Sequence, residues 1–205
     1  MDSGEFLGVA ATLGVAHPTG YPLYTLLGQL ATLFPWGDKA FLINLVSAAS
    51  GAGAAFFMAL SAAELTRRLE LRPAARAVAV AAAGVLALTA RTLWSVSTLA
   101  EIYALNALFW AALLWAALRL RRTGAARDFY VFALLGGLAL ANHATIALFL
   151  PAAVFIAWPG RERARGLIRA LAPAAAVFLL ALSLDLYLPL RAAGNATRPT
   201  SCSRE

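Results

Sequence analysis

Long apolar blocks fill this chain, and short arginine clusters separate them. Residues 41–63 carry no charge. About 20 residues at 1.5 Å rise cover a bilayer core, so this block predicts a membrane-spanning helix. Residues 77–100, apolar except for Arg91, predict a second, and residues 102–118, continuous with Glu101, a third. Residues 129–160 also carry no charge but are too long for one helix, and Asn142-His143 sits near their middle. They predict two short helices, 129–142 and 145–158, meeting at that dipeptide. Residues 170–190, with Asp185 near the end, predict the last span. The first forty residues follow another pattern. Leu23, Leu26, Leu27, Leu30, Leu33 and Phe34 recur at helical spacing with Thr25, Gln29 and Thr32 between them. That spacing predicts an amphipathic helix over 21–34, lying in the membrane interface. Residues 4–15 predict another, and the Pro and Gly of His17-Pro18-Thr19-Gly20-Tyr21-Pro22 predict a turn between them. The expected fold is therefore all-α: a polytopic membrane helical bundle, with about six helices in or across the bilayer and in-plane helices near the N-terminus. Three regions are expected: an outer-face loop over 1–40, the bundle over 41–190, and a short non-native or disordered tail over 191–205.

Composition supports lipid as the solvent. The chain is 61% hydrophobic and 13% charged, about half the charged fraction of a soluble domain. Its net charge of +7 does not point to nucleic acid, because the basic residues form no patch interleaved with aromatics. Twelve of the 17 basic residues fall in three clusters: Arg67, Arg68, Arg72 and Arg76; Arg119, Arg121, Arg122 and Arg127; Arg161, Arg163, Arg165 and Arg169. If the apolar segments alternate in direction, all three clusters share one side, which the positive-inside rule makes cytoplasmic. The opposite side then receives Asp2, Glu5, His17, Arg91, Glu101, Tyr103, Asn142, His143, Asp185 and Arg191. Ionisable groups at membrane depth are costly and mark functional sites. The single cysteine, Cys202, excludes an intrachain disulfide framework and a cysteine-based zinc site. Asp2 and Glu5 stand where a signal peptide would be basic, so none is expected. The Ala, Leu and Arg bias, with one lysine, suggests a bacterial plasma membrane.

Each polar candidate has a structural and a functional reading. Asp2 and Glu5 match a helix-capping pair, or supply a general base at the membrane surface. His17 either hydrogen-bonds within its turn or serves the site. Arg91 and Glu101 either pair with each other, or Arg91 binds an anion, since guanidinium matches phosphate geometry. Asn142-His143 either bonds to a neighbouring helix or lines a wet cavity, where unwound backbone is tolerated. Asp185 and Arg191 form a structural pair, or Arg191 snorkels at the rim. There is no GxxxxGK[ST], GxGxxG, HExxH or GxSxG motif. The Asn195-Ala196-Thr197 sequon is disregarded in a bacterial chain.

DSGEFLGVAATLGVAHPTGYPLYTLLGQL (2–30), NLVSAASGAGAA (44–55), TLWSVSTLAEIYALNALF (92–109), GLALANHATIALFLPA (137–152) and LYLPLRA (186–192) resemble, in this order, the bacterial domain-of-unknown-function family 2723. That family is related to the vertebrate transmembrane protein 260-like O-mannosyltransferases. The resemblance implies a membrane glycosyltransferase of the GT-C type, with the acidic residue in a first outer loop that also carries in-plane helices. It implies transfer of mannose or a related sugar, with inversion, from a polyprenyl-phosphate donor to a protein or other hydroxyl at the extracytoplasmic face. On that basis Asp2 is the base and Glu5 stands beside it. His17, Arg91, His143 and Arg191 become phosphate-binding candidates, and Tyr21, Glu101, Tyr103 and Asn142 complete the substrate-binding set. No cofactor is certain, and a divalent metal is left open. The family has a transmembrane helix before DSGE and more sequence after LPLRA, so a fragment is expected. The competing expectations are a lipid or solute transporter, or an inactive fragment.

Overall fold

A computed structural model describes residues 3–18 and 20–196, and among them there are helices, turns and loops but no strand. Two short helices open the chain: α1 (Ser3–Thr12) and α2 (Pro22–Ala31). They pack on each other and on α3 (Lys39–Thr66). Asp38 starts α3 by accepting the Phe41 N–H on its side chain at 2.7 Å, which satisfies one of the free donors at a helix start. Then come α4 (Pro73–Thr89), α5 (Arg91–Ser97) and α6 (Ile102–Thr123). Gly124, at φ 60°, ends α6 and donates its N–H to Leu120 O at 2.8 Å. That is a left-handed cap, for which glycine carries no Cβ penalty. A hairpin follows, α7 (Ala126–Asn142) and α8 (Ile146–Ala157). The last run contains α9 (Arg161–Leu167), α10 (Leu171–Leu182) and α11 (Tyr187–Ala196), joined by short 3-10 turns.

Three of these stretches are long and apolar enough to cross a membrane: 39–66, 102–123 and 163–193. The α4–α5 pair makes a fourth if its 58° bend is counted within one span. The expectation of one continuous helix over 77–100 is corrected here. Ala90, at ψ 118°, leaves the helical region and divides it. α5 then turns against α3, where Ser97 Oγ and Cβ occupy the place a Cβ on Gly51 would take. The expected break at Asn142-His143 is present, since His143 is extended (φ −158°, ψ 128°) and ends α7.

Side-chain bonds define the two ends of the bundle. At one end Arg76 Nη2 donates to Thr66 O at 3.2 Å, joining α4 to α3. Arg122 donates to both oxygens of Glu64 (2.7 and 3.2 Å), joining α6 to α3. Arg119 Nε donates to Asp128 Oδ1 at 2.7 Å, and Arg163 Nη1 to Arg122 O at 2.7 Å. The three arginine clusters therefore share an end. The other end gathers α1, α2, the α5–α6 junction, the α7–α8 break and α11. Six segments run between the ends among the described residues; α4 and α7 have 17 residues each and α8 has 12. The core between them centres on Ile43, Leu113, Ala117, Ala139 and Ile146, all fully buried.

Candidate active site

The rim begins with the turn after α1. Gly14 N–H bonds Val9 O at 2.9 Å and Leu13 adopts φ 53°, the geometry of a left-handed helix cap. This turn brings His17 back over α1. Its backbone N–H donates to Glu5 Oε1 at 2.7 Å, and its Nδ1 lies 2.9 Å from Glu5 Oε2. One residue thus takes both carboxylate oxygens. The side-chain bond from His17, then its backbone N–H, hold the Glu5 carboxyl below the ordinary glutamate range, because both bonds favour the charged form. The pair is exposed, His17 at 41% and Glu5 at 39% of the side chain.

Aromatic rings extend the site from α1 to α7. The His17 ring meets Tyr21 edge-on at 5.4 Å between centroids, and Tyr21 stacks on His143 at 5.5 Å and 27°. Tyr103 lies 5.9 Å from the far side of this series, again at His143. Phe6 packs beneath, against His17, Tyr21 and Tyr24. Tyr21 is buried and takes φ 46°, a conformation disfavoured for a bulky residue. Both histidines of the chain therefore flank one tyrosine.

A second layer fixes these elements. Tyr24 Oη lies 3.0 Å from Ser47 Oγ. Ser47 Oγ also contacts Glu101 O and receives the Glu101 N–H, both at 3.2 Å. Burial pushes the Tyr24 hydroxyl up to about 12, so it stays protonated. Glu101, 6% exposed, is the N-cap residue of α6. The Thr145 N–H donates to His143 Nδ1 at 3.1 Å, and Thr145 Oγ1 lies 2.9 Å from the same nitrogen. Asn106 Nδ2 donates to Thr145 Oγ1 at 3.3 Å, so α6 holds the α7–α8 break. Asn142 is 1% exposed, and neither side-chain amide atom has a partner among the described residues.

Not every predicted group joins the cluster. Asp2 lies outside the described residues, as does Cys202. Arg91 is exposed at the α4–α5 bend and has no hydrogen bond or ion pair among the described residues. It does not pair with Glu101. Arg191 reaches the rim but spends its donors on backbone, Nε on Leu13 O at 2.7 Å and Nη2 on Thr12 O at 3.2 Å. The expected Asp185–Arg191 ion pair is absent among the described residues, because the guanidinium crosses to α1 instead. Tyr187 Oη donates to Gly14 O at 2.8 Å beside it. Sequence reasoning missed Tyr24, Ser47 and Thr145. The signal for Ser47 was a hydroxyl inside an otherwise apolar span.

An apolar groove of about 650 Å³ leaves the rim at Tyr103 and Asn106 and continues along Trp110, Phe149, Val96 and Met58. Among the described residues no group of three or more His, Cys, Asp or Glu side chains could hold a metal ion.

Residues 2–164 match the family model described as Protein O-mannosyl-transferase TMEM260 N-terminal domain, which covers α1 to α8 and ends before α10 and α11. The mouse protein named Protein O-mannosyl-transferase TMEM260 is 38% identical over 154 residues, 73% of this chain and 21% of the mouse protein. The chain therefore spans about a fifth of that relative's length. No solved structure matches. With most of its length and every described residue of the rim except those of α11 inside the match, this chain belongs to the TMEM260 N-terminal domain family.

Proposed function

We propose that the rim is part of the active site of a membrane O-mannosyltransferase that takes mannose from a polyprenyl-phosphate donor. The observation that carries this reading is the Glu5–His17 pair, next to the Tyr21–His143 stack, at the end opposite the arginine clusters, within a family whose mouse relative is named an O-mannosyl-transferase. The rim faces the extracytoplasmic side, and the Ala, Leu and Arg bias favours a bacterial plasma membrane as the setting. The donor's hydrocarbon chain lies in the groove past Trp110 and Phe149, and its phosphate stands at the rim.

The reaction is an inverting displacement. The acceptor hydroxyl oxygen bonds to the sugar C1 while the bond from C1 to the phosphate oxygen breaks. The hydroxyl proton passes to the Asp2 carboxylate, and the phosphate leaves with the electron pair. Glu5 is a weak base in this scheme, since its carboxylate is committed to His17. Its role is to orient the imidazole, whose Nε2 remains available to the leaving phosphate. Donors aimed at charge that grows in the transition state contribute most to such reactions.

The test is transfer of labelled mannose from polyprenyl-phosphate mannose to a hydroxyl acceptor by the reconstituted chain. Transfer is expected, and Asp2→Asn should reduce it by at least about 100-fold while the protein still inserts. Undiminished transfer by that variant removes Asp2 as the base. One observation favours a transporter: the broken α4–α5 pair. A transporter would move the lipid-linked sugar across the bilayer with the C1–phosphate bond intact, which the same assay detects.

A further inference from the structure

The arginine end contains a feature that the rim chemistry does not use. A cavity of about 620 Å³ opens between α6, α7, α8 and the α9–α10 run. Phe129, Phe132, Val154, Trp158, Leu167 and Ile168 form much of its wall. Arg165 is the single charged side chain in that lining among the described residues. Trp158 and Ile168 are exposed on the outer side, at 57% and 62%, so the cavity faces the lipid of a surrounding bilayer.

The cations of this end differ in how they are used. Arg119 and Arg122 are ion-paired with Asp128 and Glu64, and Arg67 also approaches Glu64. Arg76 and Arg163 donate to backbone carbonyls. Arg165 is exposed and has no hydrogen bond or ion pair among the described residues. It stands at an apolar cavity, on a face whose neighbouring loops are rich in arginine. Basic pockets between membrane helices at the cytoplasmic surface suit anionic lipid headgroups, and a guanidinium offers a planar fork that fits phosphate oxygens. A tryptophan at the mouth suits the headgroup level.

We infer that this cavity is a binding site for an anionic glycerophospholipid, with one acyl chain between α7, α8 and α10 and the phosphate on Arg165. Charge complementarity selects this occupant. A neutral zwitterionic lipid would fill the same apolar volume but leave the unpaired cation without a net counter-charge. The site is distinct from the proposed sugar-transfer site, because its lining shares no residue with the groove that leaves the rim.

Native mass spectrometry of the full chain in detergent tests the inference, with dioleoyl phosphatidylglycerol, dioleoyl phosphatidylcholine and inorganic phosphate as separate probes. Phosphatidylglycerol adducts should appear at lower lipid concentration than phosphatidylcholine adducts, and phosphate alone should not compete. Arg165→Gln should weaken phosphatidylglycerol binding by about fivefold, the effect of one surface cation on an anionic lipid. Arg68→Gln, which removes an exposed arginine outside the cavity, should leave it unchanged. Ala164→Phe, which fills the lining, should abolish binding with Arg165 intact. If Ala164→Phe does not fold, Arg165→Gln decides alone, since that side chain bonds to nothing described. Equal retention of the two lipids, or equal loss in Arg165→Gln and Arg68→Gln, would overturn the assignment. So would full competition by inorganic phosphate.

Discussion

His17 binds both carboxylate oxygens of Glu5, one through its backbone N–H and one through Nδ1, at 2.7 and 2.9 Å. Twelve residues of chain are closed into a loop by this single side chain, and the closure presents the imidazole to Tyr21. The folded-state carboxyl is held below its ordinary value of 4.5. A depressed acid contributes its stabilisation above the unfolded value and loses it as pH falls through the folded one. The protection of residues 12–18 relative to intrinsic amide exchange should therefore be full near neutral pH and be lost as pH falls below the ordinary glutamate value and through the lowered folded one. Glu5→Gln should exchange fast throughout. Protection unchanged across that range would separate the loop from the carboxylate.

Arg191 should hold the same loop from the other side. Its two bonds reach Leu13 O and Thr12 O across 178 residues of chain, and Leu13 carries a left-handed backbone. Arg191→Met should cost about 1 kcal/mol, the lower part of the range for bonds from a charged donor, because the side chain is half-exposed. The readout is faster exchange at residues 12–18 with the α6–α7 contact unaffected. Arg191→Lys should recover only part, since an ammonium lacks the fork that spans two carbonyls. Full recovery by lysine would mean that charge alone is needed.

The Glu64–Arg122 pair should respond unequally to its two deletions. Glu64 is 6% exposed at the side chain and Arg122 is 38%. Arg122→Ala leaves a buried carboxylate with only the longer Arg67 contact, at 3.4 Å. Glu64→Ala leaves a cation that water can reach. The first should cost about 2–3 kcal/mol and the second under about 1 kcal/mol, measured as thermal midpoints in one detergent. Equal losses would contradict the burial argument.

Small residues should matter only where helices touch. A Cβ on Gly137 would meet Phe178 O, and Ala181 Cβ at 2.7 Å, so Gly137→Ala should force α7 from α10 and cost about 1–3 kcal/mol. Gly8 has nothing within 4 Å of an added Cβ. There Gly8→Ala should be neutral, or stabilising by up to about 1 kcal/mol through helix propensity. A neutral Gly137→Ala would mean that α10 is free to shift.

Much of the bundle was legible in the chain. Charge-free length marked α3 and α6, and Asn142-His143 marked the α7–α8 break, since an amide and an imidazole rarely interrupt an apolar run without ending a helix. The Ala90 break was not legible, because no proline or glycine stands there. It belongs to the packing of Ser97 against Gly51, a contact between distant segments. The rim was legible as a set of residue types and less so as a set of roles. Arg191 was expected to face a ligand or pair with Asp185, yet it serves backbone carbonyls that no local pattern connects to it. Ser47 was invisible for the converse reason. A serine in a span usually bonds its own helix, and only the fold brings it to Tyr24 and Glu101.

Accessibility of the two ends of α3 tests the account most directly. In intact cells, on a Cys202→Ser background, Lys39→Cys should react with a membrane-impermeant maleimide, and Arg68→Cys should react only after permeabilisation. Labelling of Arg68→Cys from outside, or of both positions from one side, would contradict the separation between an outward-facing rim and an inward-facing arginine end.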